Sequence, residues 1–153
     1  MSRDYPWGKG TIRHRVLTST HDSDVTTTVP AGKVWLVEGV YCEILTTATV
    51  GNRLLSVVLN DGTDNIFNSQ RTGSIAASSR GAIRCHSAWS AVPTASTIAI
   101  NLAGSAAITV SMSQNLPQTL LAAGSTIRTW DAGAIDAAAD DMVIVIDYVE
   151  YDA

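Results

Sequence analysis

The side chains able to do chemistry are few and poorly matched to one another. Cys85 and His86 are adjacent, which raises a thiolate–imidazole pair. Neighbours on a strand point to opposite faces, so these two cannot share a proton, and no carboxylate is placed to orient the imidazole. His14 and His21 stand seven residues apart, with no Cys or His pair at zinc-ligand spacing. Asp131, Asp136, Asp140 and Asp141 could offer oxygen ligands to a hard cation, but their spacing fits no calcium loop, and turn aspartates or helix caps account for them. Trp7, Trp89 and Trp130 are candidates for stacking on sugars, although aromatic rings at strand ends equally fill a barrel mouth or a subunit interface. There is no nucleophile elbow, phosphate loop or dinucleotide fingerprint. The sequence therefore predicts no enzyme, no cofactor and no metal.

Composition narrows the partners. The net charge of -4 and the pI near 5.1 argue against nucleic acid, whose phosphates require a positive footprint. Charged residues make up 16% of the chain, well below the roughly 25% usual for soluble domains. Ser, Thr and Ala fill the gap, as suits a β-protein that meets other protein over much of its surface or, equally, a β-sandwich whose surface is simply polar and uncharged. The signs are segregated. Arg3, Lys9, Arg13 and Arg15 crowd the N-terminus, while Asp131, Asp136, Asp140, Asp141, Asp147, Glu150 and Asp152 follow the last arginine. Such polarity pairs one end of the chain with the other, within a subunit or between subunits, or leaves two solvated ends. Cys42 and Cys85 are too sparse for a disulfide framework; they could be partners in space, and the default reading is small buried free thiols. The N-terminal MSRDYPWGKG has no apolar leader core, and no run approaches the ~18 apolar residues of a membrane span. Neither Sec export nor membrane insertion is expected.

The elements that must position these residues are strands. The organising stretch is VPAGKVWLVEGVYCEIL, from Val29 to Leu45: a Pro-Ala-Gly turn followed by a long strand. Strand parity sets Trp35, Val37, Gly39, Tyr41, Glu43 and Leu45 on one side, and Val34, Leu36, Glu38, Val40, Cys42 and Ile44 on the other. Both sides are mostly apolar, so one face lines the core and the other needs a neighbouring sheet or another subunit. The closing strand, Met142 to Tyr151, has the same character and belongs in the middle of a sheet beside an early strand. Trp35, Val37, Tyr41, Val143 and Val145 are thus candidates for a subunit interface. Residues 1–10 read as an extended arm whose aromatics, Tyr5 and Trp7, need a surface. Residues 11–153 read as one β domain. It contains strands at Ile12–Thr18, Val25–Val29, Asn52–Asn60, Asn65–Gln70 and Ala82–Val92, and a hairpin of Ile98–Leu102 with Ile108–Ser113. A short strand at Ser125–Trp130 follows. Asn115–Gly124 is a loop or helical turn, and Asp131–Asp141 a short helix or turn cluster. Short strands with turn signals and long returns to early strands predict an all-β jelly-roll or Greek-key sandwich or barrel with an N-terminal arm.

Three phrases carry a family resemblance: VPAGKVWLVEGVYCEIL; TTATVGNRLLSVVLNDG with its Gly-Asn-Arg at 51 to 53; and LPQTLLAAGSTIRTWDAGAIDAAADDMVIVIDYVEY with its IDAAADDM run. Together, from about Val29 to Tyr151, they resemble head decoration, or cement, proteins of tailed bacteriophages. The resemblance implies a small jelly-roll protein made in the bacterial cytoplasm and added as a homotrimer to the outside of a shell of major capsid protein, which it stabilises. Arg3, Tyr5, Trp7, Lys9, Arg13 and Arg15 are then the candidate capsid contacts. The competing expectation is a carbohydrate- or receptor-binding β-sandwich, used in adhesion or as a tail- or fibre-associated module.

Overall fold

The computed structural model describes residues 2–5, 8–19, 24–49, 53–70, 74–87, 108–131 and 140–153. Among them are eleven strands and no helix. The strands are β1 (Ser2–Tyr5), β2 (Gly8–Ser19), β3 (Val25–Thr28), β4 (Lys33–Leu45), β5 (Leu55–Asn60), β6 (Asn65–Gln70), β7 (Arg80–His86), β8 (Ile108–Asn115), β9 (Thr119–Leu121), β10 (Thr126–Asp131) and β11 (Asp141–Asp152).

One sheet runs β1-β2-β11-β4-β7-β8, with β9 also on β4, and the other runs β3-β10-β5-β6. Leaving aside β1, β8 and β9, the pairings nest. β5 pairs with β6, β4 with β7, β3 with β10, and β2 with β11. This is one long hairpin of eight strands, rolled so that β11 also meets β4 and β10 also meets β5. It is the jelly-roll order that the long returns predict, and it puts β11 in mid-sheet between an early strand and β4. Residues 1–10, read as an arm, supply β1 and the start of β2, which pair as an antiparallel hairpin on the sheet's edge.

Local chemistry sets the turns. Lys33 N–H donates to the Pro30 carbonyl at 3.2 Å, and Gly32 takes φ = 70°, the left-handed angle that only glycine adopts without strain. At the β5–β6 turn, Asp61 Oδ1 accepts the Thr63 and Asp64 amides at 2.9 and 2.8 Å. The core lies between the sheets. Val40, Cys42 and Ile44 of β4, Ile83 and Cys85 of β7, and Met142, Ile144 and Ile146 of β11 pack against Leu55, Val57 and Leu59 of β5 and Ile127 of β10. Full burial of each large aliphatic contributes about 1.5–3 kcal/mol.

Two expectations are corrected, the parity of β4 and the loop or helical turn at Asn115–Gly124. Parity along β4 does not hold: Glu38 is an extra residue opposite the Asp147/Tyr148 step, so Val37 and Val40 both face the core. A bulge resets the alternation, which simple parity cannot foresee. β8 pairs in parallel with β7; the 98–102 partner expected for it lies outside the described residues. The loop or helical turn at Asn115–Gly124 contains β9.

Candidate functional site

The segregated charges meet within the chain. β11 lies beside β2, so the acidic C-terminal residues stand next to the basic N-terminal ones. Arg13 donates from Nε and Nη2 to Glu150 Oε1, both at 3.3 Å, and Glu150 Oε2 accepts Trp35 Nε1–H at 3.1 Å. His14 Nδ1 lies 2.6 Å from Asp147 Oδ1. The Arg15 guanidinium sits 5.9 Å from the centroid of the Trp35 ring, which also stacks on Tyr148 at 4.1 Å. Burial pushes the Tyr148 hydroxyl above its ordinary value. At the far end of the strip Lys33 donates to Asp152 at 2.5 Å, and the pair shifts both groups, Lys33 upward and Asp152 downward. Of the candidate contacts, Lys9 and Arg13 are exposed and Arg15 is half-buried. Arg3 and Tyr5 stand on β1 opposite Gly10 and Gly8, and Trp7 lies outside the described residues.

The interface candidates divide between two faces. Trp35 and Val37 belong to the intersheet core. Tyr41 and Val145 cluster with Ala82 on the opposite face of the larger sheet, and Val143 is fully buried. All five are covered within one chain, so the second apolar face of β4 and β11 does not depend on another subunit for its burial.

Sequence reasoning missed the two strongest polar features. Arg53 and Asp140 form a salt bridge with both side chains at 0% exposure. Arg53 Nε donates to Asp140 Oδ2 at 2.5 Å and Nη2 to Oδ1 at 3.3 Å; Nη1 and Nη2 also donate to the Thr49 carbonyl and to Thr47 Oγ1, at 2.8 and 3.1 Å. Thr47 N–H completes the set at 2.7 Å from Asp140 Oδ1. Only such saturation makes burial of a charge pair tolerable. Asp140 is thereby engaged by the Arg53 guanidinium; Asp136 lies outside the described residues. The signal was present in the sequence, because Arg53 ends the Gly-Asn-Arg phrase and Asp140 lies in the IDAAADDM run. The second feature is Glu43, fully buried on the outer face, which accepts hydrogen bonds from Arg80 and, at 2.8 Å, from Tyr41 Oη. Burial, with the Glu43 bond second, holds the Tyr41 phenol well above its ordinary range.

Cys85 and His86 do not come together as a pair. Cys85 faces the core while His86 is half-buried on the other face, as alternation requires. Cys42 and Cys85 are both free thiols. They stand diagonally on adjacent strands, Cys42 opposite Ile83 and Cys85 opposite Val40. Burial drives Cys42 strongly upward and pushes Cys85 up to about 11, which favours the protonated thiol of both at neutral pH. No group of three or more metal-ligating side chains occurs among the described residues. Trp130 pairs with Ser56 on β5, and Trp89 and His21 lie outside the described residues.

No protein-family model matches the chain, and no curated protein does. Among solved structures the chain is similar to one in "Structure of infectious bursal disease virus Gx strain", at 14% identity and a TM-score of 0.27, over 94% of this chain and 42% of that one. The chain thus spans less than half the length of that protein.

Proposed function

We propose that this chain is a non-enzymatic structural protein of a virion, which binds the outside of a phage capsid as a homotrimer and stabilises the shell. The observation that carries the reading is the join between Arg53 and Asp140. Two of the phrases that resemble head decoration proteins, remote in sequence, meet there as a fully buried ion pair inside an eight-stranded jelly roll. The resemblance thus coincides with a device that holds the fold together. The major capsid protein is the partner, and Lys9, Arg13 and Arg15, with Arg3, Tyr5 and Trp7, form its contact region. Arg13 is half satisfied by Glu150, so the grip relies on guanidinium donors beyond that pair. The test is co-sedimentation with purified phage heads lacking decoration protein, using the full chain and a chain without residues 1–10, with the mass of each in solution by analytical ultracentrifugation. Saturable binding by a trimer and its loss on truncation are expected. Failure of the full chain to bind such heads would overturn the reading.

A second reading, glycan binding in adhesion, draws support from the outer face of the smaller sheet. Thr26, Thr28, Asn68 and Gln70 are exposed there, and the ion pair of Arg128 with Asp24 at 2.5 Å lies beside them. A neutral field of hydroxyls and amides suits sugar hydroxyls, and jelly rolls occur among lectins. Saturable signals on a glycan array, reduced by Asn68→Ala with Gln70→Ala, would favour it.

A further inference from the structure

β2 is longer than its outer neighbour. β1 pairs only with Gly8–Thr11, whereas β11 follows β2 from Thr11 to Ser19 on the other side. From Ile12 to Ser19, no strand among the described residues pairs with the outward side of β2. An open edge of this length presents amide and carbonyl groups that template the addition of another strand. Two of the exposed large apolar residues, Ile12 at 41% and Val16 at 50%, sit on this same strand and share its outer face with His14.

Charge decides what the edge accepts. Between Gly8 and Ser19 the strand carries Lys9, Arg13, His14 and Arg15 and no carboxylate. A second copy of β2, paired antiparallel and centred on His14, would set Arg13 against Arg15; centred on Arg15, it would set that residue against itself. Like charges directly opposite each other destabilise a ladder. A strand with Asp or Glu at alternate positions meets no such opposition. The Arg13–Glu150 pair does not block it, since that Arg side chain is 52% exposed and a guanidinium has five donors to share.

We propose that the Ile12–Ser19 edge of β2 receives an extended acidic segment of another protein as an added strand, its carboxylates beside Arg13 and Arg15 and its apolar side chains over Ile12 and Val16. This is recognition by strand addition, in which backbone pairing supplies affinity and alternate side chains supply specificity. The inference rests on the shell-binding reading only for the identity of the partner, where the segment would belong to the capsid protein.

The test uses the full chain and a terminally blocked peptide of alternating valine and glutamate, with hydrogen exchange mapped residue by residue. Slower exchange is expected within Ile12–Ser19, saturating with peptide. A peptide with lysine in place of glutamate should bind about tenfold more weakly, as the loss of two opposite-charge pairs implies. Arg15→Glu should invert that preference; the comparison of the two peptides on the unaltered chain stands even if this variant folds poorly. Equal protection by both peptides, protection elsewhere, or none would overturn the proposal. Shell binding without peptide protection would sink this inference alone, while peptide protection without shell binding would sink only the capsid reading.

Discussion

Two regions of the molecule join oppositely charged residues from distant parts of the chain, and they do so in opposite ways. At one end of the sandwich, Arg53 and Asp140 are sealed from solvent, with Thr47 and Thr49 meeting their remaining donors and acceptors. Along β2 and β11, Arg13 and His14 meet Glu150 and Asp147 in partial contact with water. The first arrangement commits its charges to the fold, since removing either partner leaves the other buried and uncompensated. The second leaves them available, since ion pairs in water contribute little and exchange readily. The chain keeps one charge pair sealed inside the fold and the other pairs partly exposed along β2 and β11.

The largest effect should come from Asp140→Ala, which strands a buried guanidinium and should lower unfolding free energy by about 3–5 kcal/mol in a urea titration. The double variant Arg53→Met with Asp140→Leu should recover much of that loss; a double variant as unstable as the single one would show that the clamp acts through the threonine loop and not through charge. Gly81→Val comes next. A Cβ there would lie 2.3 Å from Ile75 Cδ1, so overpacking should cost about 1–3 kcal/mol, with partial rescue by Ile75→Ala. By contrast, Arg13→Ala should change stability by less than about 1 kcal/mol, and less still in high salt. A loss as large as that of Asp140→Ala would erase the distinction between the two regions.

The smallest effect is acid titration at the surface. Asp152 beside Lys33, and Asp61 beneath the Asp64 and Thr63 amides, both have folded values below the ordinary 3.8. Depressed carboxyls contribute stability above their unfolded value and lose it as pH falls through the folded one, so these contributions fade only below about pH 4. Carboxyl NMR titration should show both midpoints below the ordinary value, and Lys33→Ala should return Asp152 to it.

Much of this was legible. The turn at Pro30–Gly32, the strand Asn65–Gln70 and the mid-sheet place of the last strand follow from residue type and alternation alone. The inward Cys85 and outward His86 follow from strand geometry. What was not legible depends on contacts between distant residues. Glu38 is an ordinary glutamate until its register against Asp147 makes it a bulge, and Arg53 and Asp140 look like surface residues until the fold closes over them. The segregation of charge was visible, but whether it closed within one chain or between chains was not.

The nested pairing also has a consequence for the time course of assembly. The β5–β6 hairpin spans only a few residues, while the β2–β11 ladder joins positions such as Arg13 and Tyr148, near the two ends of the chain. Because closing a loop costs more entropy the longer it is, and distant pairings slow folding, the roll should zip from its centre outward. Pulse-labelled hydrogen exchange during refolding should then protect Val57 and Leu59 before Val145 and Ile146. The basic edge would be the last part of the molecule to exist, so a nascent chain could not engage a partner through it until the rest had already folded.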